Sequence, residues 1–539
     1  MKRTFNRTLG VLTLVAGLSA VAPSCTNDLN QSPNYQLTAS QIYKDAPSTY
    51  QALARLYATY AITGQQGPSG NADLSSIDEG NSNYVRLLWQ AQEITTDESI
   101  CGWSDPGIPE LNTLTWNADN TQLLGLYYRI NYEVSLCNEF IRQTSDGNLA
   151  SRGITGTDAT TIRQYRAEAR LLRAMSYWHE VDLFGGGPFT TENDAIGTLP
   201  PYKSRADLFA YVESELKALD GLDATNGALL APRSVYGRAD QGVLWTVLTK
   251  LYLNAKVYTG TDRSTDAVTY ASKVLGAGYA LSPTYANLFL ADNNATAARN
   301  EIIFPITFDG TRTQTYGGTT YLIHAPNGRA FTAASAGIDG GWQGLRTKPN
   351  LALLFGSATQ RNSSDVRSQL FIFQGQNPSV DTVTSFSSGP LIAKYRNVTS
   401  TGKPGSNVTF ADTDYPMFRL SDVMLMYAEA VLRGGQGGSA SQALAYVNQV
   451  RTRAGAPATT ASALTLSSIL DERGRELFWE GHRRTDLIRF GLYTTGYNWP
   501  YKGSPTAKAG QDVAATRALF PIPSTDRVAN PNLLQNPGY

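Results

Sequence analysis

The stretch RLSDVMLMYAEAVLRGGQGGSASQAL, residues 419–444, decides the fold class. Its apolar residues recur at the spacing of one helix face, at Leu420, Val423, Met424, Tyr427 and Val431. Gly434 and Gly435 then end the helix, and Ser439 or Ser441 is placed to cap the next one. The stretch therefore predicts a helical hairpin, two helices joined by a short glycine-containing turn.

The same pattern extends outward along the chain. GVLWTVLTKLYLNAKVY, residues 242–258, repeats the helical periodicity. Further helices are predicted near residues 40–62, 120–143, 160–183, 205–219, 264–276, 439–453 and 466–489. Helix pairs of this length resemble tetratricopeptide repeats, although no strict 34-residue period is visible. The prediction is a mainly α fold, a stack of helix pairs over about 40–300 and 419–490.

Two stretches interrupt the helical pattern, at about residues 64–116 and 303–418. Both are rich in glycine and small polar residues, and within the second the runs YLIH (321–324) and LFIFQ (370–374) are predicted to be short strands. Long ordered loops on a rigid scaffold often carry binding residues. A structural cover over the helices would have the same composition, so both interpretations stay open here.

The N-terminus has the layout of an export signal. Lys2, Arg3 and Arg7 precede an apolar stretch of 14 residues from Leu9 to Ala22, and small residues follow up to Cys25. We expect a lipoprotein signal over residues 1–24, lipidation of Cys25, and a single domain over 25–539. The alternative is an ordinary secretory signal with Cys25 incidental. No later run is long and apolar enough to span a membrane.

Composition excludes some classes of partner. The 45 Lys and Arg residues balance 45 Asp and Glu residues, so no overall field attracts nucleic acid. Only 17% of residues are charged, and the polar surface comes from Asn, Thr, Ser, Gly and 29 Tyr. Such a surface suits neutral, hydroxyl-rich partners.

Motifs for catalysis are largely missing from the sequence. There is no P-loop, nucleophile elbow or zinc-binding spacing, and His179, His324 and His482 are interpreted as structural. The row Arg163, Arg166, Arg170 and Arg173 is interpreted as a solvated face with ion pairs rather than a phosphate site. Cys101 and Cys137 form either separate buried thiols or one bridge. A pair of glycosidase carboxylates is not excluded, but no spacing singles one out.

Several blocks of the sequence resemble the SusD/RagB family, the lipid-anchored glycan-binding proteins of the Bacteroidetes outer membrane. They include YRAEARLLRAMSYWHEVDLFGGGPF, NEIIFPI, ILDERGRELFWEGHRRTDLIRFG and the ending LFPIPSTDRVANPNLLQNPGY, in family order. The resemblance implies a right-handed stack of tetratricopeptide-like helix pairs with a loop-rich irregular region containing short strands.

The resemblance also implies a function. Family members are cell-surface lipoproteins, not enzymes, which bind oligosaccharides and deliver them to a SusC-like TonB-dependent transporter in the outer membrane, with no cofactor required. Three other hypotheses stay open: the same role with a different glycan or a peptide, a secreted glycoside hydrolase, and a structural surface protein such as a fimbrial subunit.

The loops resemble the starch-binding branch of the family, in which aromatic rings cradle an α-1,4-glucan. Matching positions assign glycan contact to Arg86 and Trp103 in the first loop and to Tyr316 and Trp342 in the second. Asp105 stands where the family has an asparagine. Sugar C–H faces stack on aromatic rings, and arginine donates to hydroxyls in a fixed fork, which is the physical reason for these residue types.

Two further sets of residues complete the sequence predictions. The remaining tryptophans with helical or core-like spacing are assigned to packing, at Trp89, Trp116, Trp178, Trp245 and Trp479. Asp292, Asp412 and Asp414 resemble a structural calcium site of the starch-binding branch, and oxygen ligands at alternate positions suit this ion.

Overall fold

The computed structural model describes residues 38–65, 67, 68, 72–75 and 77–539. The predicted signal and Cys25 lie outside the described residues, so both stay predictions. The described chain is mainly helical and confirms the predicted fold class.

The described helices are α1 Ala39–Ile42, α2 Ala46–Ala61, α3 Tyr84–Trp89, α4 Ile108–Thr113, α5 Thr121–Gln143, α6 Asp146–Ser151, α7 Gly156–Leu183, α8 Arg205–Asp220, α9 Gln241–Leu253, α10 Ala255–Thr259, α11 Ser264–Leu275, α12 Gly318–His324, α13 Ala333–Ala336, α14 Pro349–Leu353, α15 Leu420–Leu432, α16 Ala440–Arg453, α17 Leu466–Leu477, α18 Arg483–Arg489 and α19 Ser524–Ala529. A π-helical turn, Gln90–Ile94, follows α3 directly. The strands are β1 Ile100–Cys101, β2 Gly187–Pro188, β3 Tyr202–Lys203, β4 Ile302–Ile306, β5 Leu345–Arg346, β6 Phe371–Ile372, β7 Leu391–Ile392 and β8 Tyr415–Arg419.

Helix pairs form the scaffold. Helix α5 packs on α7, α9 on α11, and α15 on both α11 and α16. The predicted hairpin at residues 419–444 is confirmed: Gly434 follows α15 with φ +95°, and the Ser439 hydroxyl accepts a hydrogen bond from Gln442 N at 3.1 Å to cap α16. A Cβ on Gly435 would lie 2.7 Å from Ser264 O, so glycine permits the close approach of α11.

Short antiparallel strand pairs tie the loop-rich regions to the scaffold. The described strands pair as β1 with β5, β2 with β3, β4 with β8, and β6 with β7. The β4–β8 pair joins the two ends of the 303–418 region, and the β1–β5 pair joins the first loop-rich region to the second. Two loops that are more than 200 residues apart in sequence are thereby held side by side.

Two sequence predictions of local structure were wrong. YLIH belongs to α12, whose residues are all buried, and not to a strand. The strand predicted in LFIFQ is present but limited to Phe371 and Ile372, and the loop-rich 64–116 region also contains α3, the π-helical turn and α4. The helix predicted at 466–489 is broken between Leu477 and Arg483, where Trp479 has φ +63° and Gly481 has φ +77°.

The break positions an acidic residue in a buried ion-pair network. Glu480 pairs with Arg419 at 2.6 Å and with Lys394 at 2.7 Å, and all three side chains are inaccessible to solvent. A continuous helix would not leave Glu480 free to reach strand β8. The network therefore overrides the apolar periodicity that predicted one helix.

Most packing assignments are confirmed. Trp89, Trp116, Trp178 and Trp479 are buried, whereas Trp245 is half-buried and donates its indole N–H to Asp220 at 2.6 Å. Cys101 and Cys137 are buried free thiols, so the disulfide alternative is wrong.

The arginine row on α7 forms ion pairs, as predicted. Arg163 and Arg166 pair with Asp146, and Arg170 pairs with Glu215. The prediction of a solvated face is wrong for Arg173, which is 2% exposed and pairs with Glu215 and Glu192.

None of the helices in the described residues is both long enough and apolar enough to cross a membrane.

Candidate functional site

The site is built where β1 meets β5. Cys101 pairs with Leu345, and Gly102 N continues the pairing by donating to Gly344 O at 2.9 Å. Trp103 comes two residues after β1, and Trp342 comes three residues before β5. The strand pair therefore places the two tryptophans side by side.

All five predicted glycan-contacting residues line one open cleft of about 680 Å³. We call it the aromatic cleft; its walls are Asp78, Glu79, Gly80, Asn81, Arg86, Trp103, Asp105, Tyr316 and Trp342. Both loop-rich regions contribute to it, which favours a binding role for these loops over that of a mere cover.

Three rings form a row along the cleft. The ring centroids of Trp103 and Trp342 lie 6.3 Å apart with an angle of 46° between the planes, and those of Trp342 and Tyr316 lie 6.2 Å apart at 58°. All three side chains are half-buried. Successive tilts of this size give a curved apolar surface, which matches a curved chain of amphipathic rings better than a flat ligand.

Buried neighbours hold the rings in place. His324 stacks behind Trp342 with centroids 4.8 Å apart, and Phe410 packs against Tyr316 at 5.4 Å. The His324 ring nitrogens lie 2.6 Å from Gly340 O and 3.0 Å from Thr409 O. Burial lowers the pKa of His324, whereas these carbonyls and Asp339 oppose that shift. The structural interpretation of this histidine is confirmed, and its ring supports the site.

Trp103 is fixed from two sides. Its indole N–H donates to Trp342 O at 3.3 Å, and Tyr321 meets it edge-on with centroids 6.0 Å apart. Gly344 lies directly beneath the ring, where a Cβ would come 2.2 Å from Trp103 Cε2. The orientation of the indole therefore depends on a residue with no side chain.

Arg86 lies in the first turn of α3, where Asn83 Oδ1 accepts from Arg86 N at 3.0 Å. Its Nη1 donates to Gly80 O at 3.1 Å and to Tyr316 O at 3.4 Å, which joins the two loops. Burial lowers the pKa of Arg86, opposed chiefly by Tyr321, whose ring centroid lies 4.4 Å from the guanidinium carbon. Among the described residues, Nη2 has no acceptor within hydrogen-bond distance, which leaves this donor for a ligand.

Three carboxylates also line the cleft. Asp105 lines the cleft together with Asp78 and Glu79, two residues that sequence reasoning missed. Burial and the neighbouring Asp78 raise the pKa of Glu79 to about 7, whereas Arg129 lowers it. Carboxylates accept hydrogen bonds from hydroxyl groups and repel anions. The only available signal for them was the polar run DEGNSN before α3, which is typical of any turn.

The three predicted calcium ligands do not converge on one point. Asp412 accepts from Gly310 N at 2.7 Å, and Asp414 accepts from Phe308 N at 2.8 Å. Asp292 accepts from Ser400 N at 2.8 Å. Within the described part of the chain, no group of three or more His, Cys, Asp or Glu side chains is arranged to hold a metal ion. These contacts join loops to one another, and the calcium site stays a prediction.

Comparisons with known proteins agree with this architecture. The sequence model of the SusD family matches residues 256–539. The chain is 34% identical to the starch-binding protein SusD of Bacteroides thetaiotaomicron, with all of both chains covered. It is 25% identical to the SusD-like protein P2 of Formosa agariphila, over 80% of this chain and 83% of that one.

Solved structures share the fold. A SusD superfamily protein of Parabacteroides distasonis superposes with a TM-score of 0.69 at 21% identity, covering 94% of this chain and 100% of the other. Surface glycan-binding protein A of B. thetaiotaomicron, in complex with laminarihexaose, gives 0.68 at 18% identity, covering 91% and 99%.

Proposed function

Because this chain belongs to the SusD family, we propose that it binds neutral oligosaccharides at the cell surface and delivers them to a SusC-like TonB-dependent transporter. One observation carries the binding role: Arg86, Trp103, Asp105, Tyr316 and Trp342 share one open cleft although they come from two distant loops. Lipidation of Cys25 would anchor the chain in the outer membrane.

The proposed ligand is an α-glucan of the starch type. The curved row of rings supports it, since the helical turn of an α-1,4-glucan presents successive sugar faces around a curve. The relative that is 34% identical over the full length is a starch-binding protein, which supports this ligand as well. Asp105 would accept a hydroxyl proton where an amide would both donate and accept.

The role is binding without catalysis, and it requires no cofactor. The runner-up hypothesis is a glycoside hydrolase, and the presence of Asp78, Glu79 and Asp105 in the same cleft favours it. The two hypotheses differ in what becomes of the sugar, since a binding protein returns it uncut.

Calorimetric titration of the chain without its first 25 residues tests this proposal. We expect saturable binding of maltoheptaose and of a cyclic α-glucan, and chromatography should recover both sugars intact. Trp103→Ala should weaken binding at least tenfold because it removes one of the three stacking rings. Tyr50→Ala is the matched control, since Tyr50 is 44% exposed and lies outside the cleft.

Two results would contradict parts of the proposal. Absence of heat with both sugars would reject the α-glucan assignment, and cleavage products would reject a binding-only role.

A further inference from the structure

A second cleft adjoins the aromatic cleft at Trp103. It encloses about 480 Å³. We call it the threonine groove, after its walls of Thr113, Thr115, Thr382, Thr384, Trp103 and Tyr501. Trp103 lines both clefts, so the two clefts meet at this side chain.

The groove has the mixed surface that carbohydrate requires. Pro109, Val383 and Pro505 supply apolar patches, and the threonines supply hydroxyl groups. The hydroxyls of Thr382 and Thr384 make no hydrogen bond within the described residues, so both remain available. Sugar rings need such alternation, because each carries apolar C–H faces and a rim of hydroxyls.

The charges in the groove indicate a neutral ligand. Glu110 and Asp381 line it, and no lysine or arginine does so among the described residues. A uronate or sulfate group bound in the groove would therefore meet two carboxylates, whereas a neutral sugar would not be repelled.

The two clefts share one rigid support. Arg346 is 0% exposed, and its guanidinium donates to Gly344 O beneath Trp103 at 2.8 Å and also to Val383 O in the groove wall. Tyr501 fixes the same wall by donating its hydroxyl to Asp381 O at 2.6 Å. Neither wall therefore needs to be ordered by the ligand, which lowers the entropic cost of binding.

We propose that the threonine groove is a second subsite for the same glycan, which takes the sugar residues that continue past Trp103 from the aromatic cleft. The inference rests on the proposed function, since it extends the bound oligosaccharide from one cleft to the next. A chain long enough to fill both clefts gains contacts that a short one lacks.

The test compares ligand lengths. We would titrate maltotriose and maltoheptaose into wild type, Thr384→Trp and Thr401→Trp. Thr384 is exposed and lines the groove, so tryptophan there fills the groove without disturbing the core. Thr401 is also an exposed threonine, and it lies outside both clefts. Wild type should bind maltoheptaose at least tenfold more tightly than maltotriose. Thr384→Trp should reduce that ratio to about twofold and leave the maltotriose affinity unchanged, whereas Thr401→Trp should change neither.

The outcomes separate the two proposals. A length ratio that Thr384→Trp leaves unchanged would overturn the second subsite alone. Equal loss of both affinities would also overturn it, because the effect would then lie in the aromatic cleft. A wild type that binds neither sugar would overturn the α-glucan assignment and this inference together.

Discussion

At the scale of single residues, the aromatic cleft depends on Gly344. A Cβ there would overlap the Trp103 ring at 2.2 Å, although its backbone conformation suits any residue. We therefore expect Gly344→Ala to displace the indole and weaken glycan binding at least tenfold. Gly340→Ala is the matched control in the same loop, because a Cβ there would meet nothing within 4 Å.

Calorimetry with maltoheptaose measures both glycine variants. Equal affinities for Gly344→Ala and Gly340→Ala would show that the position of Trp103 does not govern binding.

The sequence allowed the cleft's aromatic residues to be predicted, but not their supports. Trp103 lies beside Gly102, Asp105 and Gly107, a context unlike that of a packed helix. The contact between Gly344 and Trp103 depends on the pairing of β1 with β5, which no local pattern reveals. Asp78 and Glu79 were missed for a similar reason, since their polar run differs little from other turns.

At the scale of elements, the ion-pair network behind α17 stabilises the broken helix. Glu476 accepts from Arg419 at 2.6 Å and from Arg367 at 2.9 Å, and all three side chains are 0% exposed. Burial would raise the pKa of Glu476, but Arg453, Arg419 and Arg367 lower it to about 2. Removing one member of such a network leaves buried charges without a partner.

Glu476→Ala should therefore lower the free energy of unfolding by about 3–5 kcal/mol. Arg312→Ala is the control, since its ion pair with Asp309 spans 3.9 Å and the Arg312 side chain is 85% exposed; it should change stability by about 0.5 kcal/mol or less. Urea unfolding measures both variants. Similar urea midpoints for the two variants would mean that the buried network contributes no more to stability than an exposed ion pair does.

Element positions were more predictable than element ends. The hairpin at 419–444 followed from its periodicity and its glycines, because these are local properties. The break after Leu477 could not be predicted from the sequence, because apolar residues continue the helical spacing through Leu487. The break depends on ion pairs of Glu480 with Arg419 in β8 and Lys394 just after β7, which are distant in sequence. The strand predicted for YLIH was wrong because a short apolar run fits a buried helix as well as a strand.

At the scale of the whole molecule, buried acids make stability depend on pH. Glu180 in α7 is 0% exposed, and neither of its carboxyl oxygens has a hydrogen-bond partner in the described residues. Burial raises the pKa of Glu180 to about 8, above the ordinary value of 4.5. The unfolded chain thus ionises first as pH rises, and the folded state loses stability between pH 4.5 and about 8.

Glu180→Gln should remove that contribution. Within this window, Glu180 lowers the free energy of unfolding of the wild type by about 1.4 kcal/mol for each pH unit. The free energy of unfolding of the variant should therefore fall less steeply with pH. Urea unfolding at pH 5, 6.5 and 8 compares the two slopes. Parallel curves for wild type and Glu180→Gln would show that Glu180 does not keep its proton in the fold.

A crystal structure of the protein with maltoheptaose would test whether the paired loops form a glycan-binding cleft. We expect glucose rings stacked on Trp103, Trp342 and Tyr316, with Arg86 Nη2 donating to a sugar hydroxyl. Sugar bound elsewhere on the molecule, or an aromatic cleft left empty at saturating maltoheptaose, would contradict this prediction.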